Sequence, residues 1–211
     1  MSPRGRFITF EGIEGVGKST QLANAAKTLE SLGVDFIVTR EPGGTPMAES
    51  IRELLLAPRD EPVHETTELL LMFAARAQHL HTRILPALKQ GQWVLCDRFT
   101  DATFAYQGGG RGVPEERIGW LENLVQGDVR PDHVIVLDAP VETGMCRARK
   151  RGELDRFEQE AVPFFQRIRD CYLNRAARDP ERYCVVDASV SLEAVTEKVQ
   201  ELVYKFYENL L

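Results

Sequence analysis

Short runs of apolar, β-branched and aromatic residues recur along the chain at Phe7–Phe10, Phe36–Thr39, Trp93–Cys96, His133–Leu137 and Tyr183–Val186. Each is bounded by polar or turn-forming residues and is too short for a helix, so the pattern predicts five strands. Between them, apolar positions recur at helical spacing, as in Leu22, Ala26, Leu29 and Leu32, or Val195, Val199, Leu202 and Val203. Strands alternating with helices predict an α/β fold whose parallel sheet is covered on both faces. Gly33 and Gly91 stand where helices should hand over to strands, and Pro131 precedes the fourth strand. No repeat or low-complexity linker divides the chain, which predicts one domain over 1–211. The glycine run Gly108–Gly112 reads as a flexible loop.

Composition narrows the class. The 211 residues carry 26 Lys and Arg against 32 Asp and Glu, a formal charge of −6, with 43% hydrophobic and 27% charged residues. Those are globular proportions, and they exclude disordered and fibrous chains. An acidic chain without a long basic block is not expected to bind nucleic acid. No apolar run approaches the roughly 18 residues a membrane span needs. The apolar stretch after Arg4 and Arg6 is too short for a signal-peptide core, so a cytoplasmic chain is expected. Cys96, Cys146, Cys171 and Cys184 form no CxxC pair and read as buried, reduced thiols.

The strongest motif is Gly12-Ile13-Glu14-Gly15-Val16-Gly17-Lys18-Ser19, which fits GxxxxGK[ST] between a predicted strand and a predicted helix. Glycines let backbone N–H groups turn inward around a phosphate, and the next helix presents its positive N-terminus. Lys18 adds a point charge and Ser19 a hydroxyl for Mg²⁺. The motif does not separate a kinase from an ATPase, but the chain has no NKxD for reading guanine, which disfavours a GTPase switch.

Arg40 follows the second predicted strand and Asp97-Arg98 the third, so all leave the sheet edge where ligands of open α/β sheets bind. Arginines there can fork onto a phosphate, and Asp97 can hold Mg²⁺ through water. Phe73 and Arg76 lie three apart on a predicted helix, offering a ring for stacking and a donor for a base edge, although Met72 and its neighbouring leucines equally suit a core position for Phe73. Residues 141–156 carry Arg147, Arg149, Lys150, Arg151 and Arg156 around Gly152; this is either a solvated helix face or a basic lid over phosphates.

Together, FEGIEGVGKST, TREPGGT, LLLMFAARAQH, DRFTDATFAYQGGGRG and RARKRGELDRFE closely resemble the bacterial thymidylate kinase family over nearly the whole chain. The resemblance implies a three-layer P-loop kinase fold with a five-stranded parallel sheet and a short basic lid. It also implies a homodimer that transfers the γ-phosphoryl of ATP to dTMP with Mg²⁺ on the route to dTTP. By the same resemblance, residues 12 to 19, Thr20 and Arg147 would hold ATP, with Ser19 and Asp97 near the metal. Arg40 and Arg98 would clamp the acceptor phosphate, and Glu14 would contact the sugar 3′-hydroxyl. Phe73 would stack on thymine, Arg76 and Gln107 would contact the base, Tyr106 would crowd the 2′ position and Thr103 would keep a hydroxyl toward the substrate. Gly15 stands where the eukaryotic type has arginine, so the catalytic arginine, Arg151, is expected from the lid, while Phe99 lacks the polar tip many members carry there. A kinase for dUMP or another nucleotide, a P-loop ATPase and a silent binding module are the alternatives, separated by ATP turnover with and without acceptors.

Overall fold

The computed structural model describes residues 4–150 and 155–209. Five strands, β1 (Phe7–Glu11), β2 (Phe36–Arg40), β3 (Trp93–Asp97), β4 (His133–Asp138) and β5 (Tyr183–Asp187), form one parallel sheet in the order β2-β3-β1-β4-β5. The predicted α/β fold is present, and each strand runs one residue past its predicted end. The added residue is polar every time: Glu11, Arg40, Asp97, Asp138 and Asp187. Phe10 and Arg40 both register with Asp97, so the carboxyl ends of β1, β2 and β3 lie side by side.

The helices are α1 (Lys18–Ser31), α2 (Pro46–Leu56), α3 (Glu65–His79), α4 (Leu85–Lys89), α5 (Thr100–Thr103), α6 (Glu115–Gln126), α7 (Val141–Arg149), α8 (Val162–Arg178) and α9 (Leu192–Glu208). A π-helical turn, Leu80–Ile84, joins α3 to α4, and a second, Phe104–Gly110, continues α5. Alternation along β1 sends Phe7 to one face, where Leu80, Ile84 and Leu88 cover it with Val94 and Cys96. Ile8 and Phe10 point the other way, into the larger core with Leu22, Ala25 and Leu29 of α1 and Val195, Val199 and Val203 of α9. Those three valines recur every four residues and form the buried stripe of α9, whose Ser191 caps the amide of Ala194.

Two expectations are corrected here. The segment Gly108–Gly110 belongs to a π-helical turn, not a flexible loop. Its glycines permit close packing: a Cβ on Gly110 would sit 2.5 Å from the Phe164 ring, and one on Gly109 would lie 2.9 Å from the Arg167 carbonyl oxygen. The cysteines also differ: Cys96 is buried, Cys171 and Cys184 are half-buried, and Cys146 is exposed on α7.

Candidate active site

The phosphate-binding loop turns off β1 through Gly12, Gly15 and Gly17, all at positive φ. The turn demands glycine at Gly15, where a Cβ would lie 1.9 Å from the carbonyl oxygen of Gly144 on α7. Gly17, at φ 93°, sits at the N-cap of α1 and has no side chain to satisfy the first helical amides. Those amides and the helix dipole therefore face the loop, ready for an anion. Lys18 is buried and folds back over the loop, donating to the carbonyl oxygens of Gly12 (3.1 Å) and Ile13 (2.7 Å). Burial and then the nearby Arg98 charge push its ammonium down to about 8, against the pull of Asp97 and Glu14.

One cleft of about 490 Å³ runs from this loop along the carboxyl edge of the sheet. Gly15, Gly17, Lys18, Ser19, Thr20 and Arg147 line it toward the loop, while Arg40, Arg76, Asp97, Arg98, Thr103, Tyr106 and Gln107 line the rest, with Glu14 between. Gly12, Ile13 and Val16 are not part of its wall; Ile13 and Val16 are buried in the core beneath the loop. Arg147 donates to the carbonyl oxygen of Ala188. Arg151 lies outside the described residues. Arg156, read from sequence as part of the basic lid, is instead tied to the body of the protein through the carbonyl oxygen of Leu55 and the carboxylate of Glu68.

Arg98 is the strained residue of the site, with a left-handed φ of 67°. That bend sends its guanidinium back across the cleft, where it donates to Gly12 O (3.0 Å), the Tyr172 hydroxyl (3.1 Å) and Glu14 Oε1 (2.9 Å) above the Tyr106 ring. The Tyr106 hydroxyl donates to the same Glu14 oxygen, leaving Glu14 Oε2 buried without a hydrogen bond among the described residues. Behind them Glu11 is fully buried; it accepts from Tyr172 and the Phe99 amide, and burial, reinforced by Asp101, raises its carboxyl to about 8.

Arg40 is half exposed and bound to Glu49 of α2. The sequence reading missed a third guanidinium in this region: Arg52 of α2, which lines the cleft and donates to the carbonyl oxygen of Pro42. Burial, then repulsion from Arg40, lowers its proton affinity. The available signal was position, since α2 begins directly after TREPGGT with Thr45 capping the amide of Ala48.

At the far end Arg76 is 2% exposed. Its Nε donates to Glu41 Oε2 (2.7 Å) and its Nη2 to Phe99 O and Thr103 Oγ1, while Nη1 has no partner among the described residues. Glu41 also bonds His79, whose other ring nitrogen meets the Thr39 hydroxyl. Phe73 does not line the cleft. It packs with Leu69, Phe104 and Ile118, and Met72 occupies the cleft wall in its place. The Phe99 ring is buried against Phe7, which accounts for an apolar residue there. Asp97 Oδ1 is buried with no hydrogen-bond partner among the described residues, and Ser19 lines the same cleft.

A family model described as thymidylate kinase matches residues 10–199. A thymidylate kinase of Pseudomonas putida (strain GB-1) is 60% identical over 198 residues, covering 94% of each chain. One from Alcanivorax borkumensis is 58% identical over 199 residues, covering 94% of this chain and 96% of its own. The crystal structure of the thymidylate kinase from Ehrlichia chaffeensis superposes with a TM-score of 0.76 at 35% identity, covering 95% of this chain and 99% of the other.

Proposed function

The chain belongs to the thymidylate kinase family, and from that premise we propose how its cleft moves the γ-phosphoryl of ATP onto dTMP. The observation that carries the reading is the continuous cleft joining the phosphate-binding loop to an end walled by Met72, Arg76 and Gln107. ATP lies on residues 12 to 20 with its phosphates on the α1 amides and Lys18, and Arg147 borders the donor end. The dTMP phosphate meets Arg98, Arg52 and Arg40, and the base lies between Met72, Arg76 and Gln107. The unpartnered Glu14 Oε2 accepts the sugar 3′-hydroxyl, and the Tyr106 ring fills the space a 2′-hydroxyl would need.

The acceptor is a phosphate monoester with a second pKa near 6, so its attacking oxygen is ionised at neutral pH and no general base is required. The barrier is repulsion between two polyanions, which positioning and surrounding positive charge overcome. Lys18 and Arg98 supply that charge from the body of the protein, and Arg151 supplies it from the basic segment. Asp97, with its orphaned oxygen, and Ser19 fit a Mg²⁺ ion, which when bound adds positive charge to the ATP phosphates. A second copy of the chain covers the exposed Leu70 on α3 and Trp120 and Leu124 on α6, helices that pack side by side.

ADP release from ATP and Mg²⁺ with dTMP, dUMP, UMP, CMP and AMP in parallel, beside a control lacking acceptor, tests the reading. A strong rate with dTMP, a weaker one with dUMP and almost none otherwise is expected. The 5-methyl group contributes only about 1–3 kcal/mol of discrimination in an apolar pocket. Acceptor-independent hydrolysis would overturn it. Arg151→Ala should lower kcat by a few powers of ten, about the worth of other arginine fingers, with little change in dTMP affinity. Sedimentation showing only monomer at micromolar concentration would remove the dimer.

A further inference from the structure

We propose that Glu68 is a positioning residue that makes the acceptor pocket selective for a keto pyrimidine over an amino pyrimidine. Glu68 lies in the first turn of α3, is 1% exposed and does not line the cleft. Its Oε1 accepts from Gln107 Nε2 (2.9 Å) and from Arg111 Nε (3.4 Å), and its Oε2 accepts from Arg156 Nη2. Two arginines from different segments thus hold one buried carboxylate in place behind the base end of the cleft, which offsets the cost of burying it.

A carboxylate that only accepts allows one orientation of the amide facing it. The Gln107 NH₂ group is committed to Glu68, so the Gln107 carbonyl oxygen is the atom left for the cleft. Nearby, Arg76 Nη1 is a buried donor with no partner. The wall of this one cleft therefore offers both a donor and an acceptor. That pair matches a ring carbonyl next to a ring N–H, the edge of thymine or uracil, and opposes the amino group and bare ring nitrogen of cytosine. Without the carboxylate the amide can turn over, presenting its NH₂ to the base, and the match to one edge is lost. This role rests on the reading of Gln107 as a base contact.

The test compares kcat/KM for dTMP and dCMP, with saturating ATP and Mg²⁺, in Glu68→Gln, Gln107→Leu, the double variant Glu68→Gln/Gln107→Leu, and the swap Glu68→Gln/Gln107→Glu. Glu68→Gln should lower the dTMP-to-dCMP ratio at least about tenfold, through KM for dTMP, with kcat for dTMP changed less than about threefold. In the Gln107→Leu background the same change should lower the ratio no further. The swap keeps volume and net charge: the new amide donates to the new carboxylate, whose second oxygen still faces the base, so the dTMP preference should be retained. If Gln107→Leu collapses the ratio and Glu68→Gln leaves it unchanged, Glu68 is merely structural. An unchanged ratio in Gln107→Leu would instead remove the base contact and this role with it. Should Glu68→Gln not fold, the swap decides, and a folded swap that has lost the dTMP preference overturns the proposal.

Discussion

On the proposed reading Arg76 has two separable roles, and one substitution pair distinguishes them. Replacing Arg76 by Met keeps most of its volume but withdraws the guanidinium from Glu41, whose side chain is 3% exposed, and leaves that carboxylate with His79 alone. Removing one partner of a buried ion pair costs about 3–5 kcal/mol, because the remaining charge stays desolvated. For a chain of this size each kcal/mol corresponds to about 2–4 °C, so Tm should fall by roughly 6–20 °C. Adding Glu41→Gln removes the stranded charge, and the double variant should recover most of that loss. Catalysis should not recover with it. The donor proposed for the base is gone in both variants, and a lost hydrogen bond from a charged donor is worth about 1.5–3 kcal/mol, or roughly 10- to 150-fold in kcat/KM for dTMP. Calorimetric melts and initial rates on the three proteins suffice. Recovery of kcat/KM in the double variant would make Arg76 a structural residue only, and a Tm loss below about 3 °C in Arg76→Met would refute the buried-charge argument.

Three further predictions concern the cleft and the residues packed behind it. Because burial holds the Lys18 ammonium down to about 8, the free enzyme loses that charge as pH rises through 8. The pH profile of kcat/KM for ATP should therefore fall on its alkaline side with a midpoint near 8, Lys18→Arg should abolish that limb, and a wild-type profile flat to pH 9.5 would contradict the assignment. Met72→Ala should raise KM for dTMP with little effect on Tm, whereas Phe73→Ala should cost about 3–5 kcal/mol of stability as a core truncation; the reverse pattern would put Phe73 back against the base. Glu11, raised to about 8, contributes stability that is fully present below its unfolded value and lost as pH rises to 8. Glu11→Gln should thus gain on wild type with increasing pH by at most about 1.4 kcal/mol per unit in chemical denaturation, and parallel curves would refute the shift.

The sheet was legible because β1, β3 and β4 are buried on both faces and all five strands read as apolar runs. The same physics hid their ends: the hydrophobic pattern stops at the last apolar residue, whereas the ladder continues through Glu11, Arg40 and Asp97, of which Arg40 and Asp97 line the cleft. Periodicity could not choose between Met72 and Phe73. In an ideal helix they sit about 40° and 60° from Arg76 on opposite sides, so both share its face. Packing against Leu69, Phe104 and Ile118 decides it, and those contacts come from distant segments. Arg52 and Glu68 carry no motif, and their roles arise only when α2, α3 and the π-helical turn converge.

The convergence also sorts the positive charges in a way no local pattern reveals. Arg40, Arg76 and Arg98 each face a carboxylate: Glu49, Glu41 and Glu14. Lys18, Arg52 and Arg147 line the same cleft but, among the described residues, hydrogen-bond only backbone carbonyl oxygens. A neutral acceptor compensates a positive charge less than an anion in direct contact does, and a phosphate oxygen is the better partner for it. On the proposed reading these three cations exchange a carbonyl for phosphate when nucleotides enter, with Lys18 and Arg147 toward the donor end and Arg52 toward the acceptor. On the same reading Arg76, Arg98 and Arg40 stay paired with their carboxylates, Arg98 and Arg40 meeting the acceptor phosphate from those positions. Charge at Arg52 should then govern acceptor affinity more strongly than charge at Arg40, whose pairing with Glu49 is half exposed to solvent.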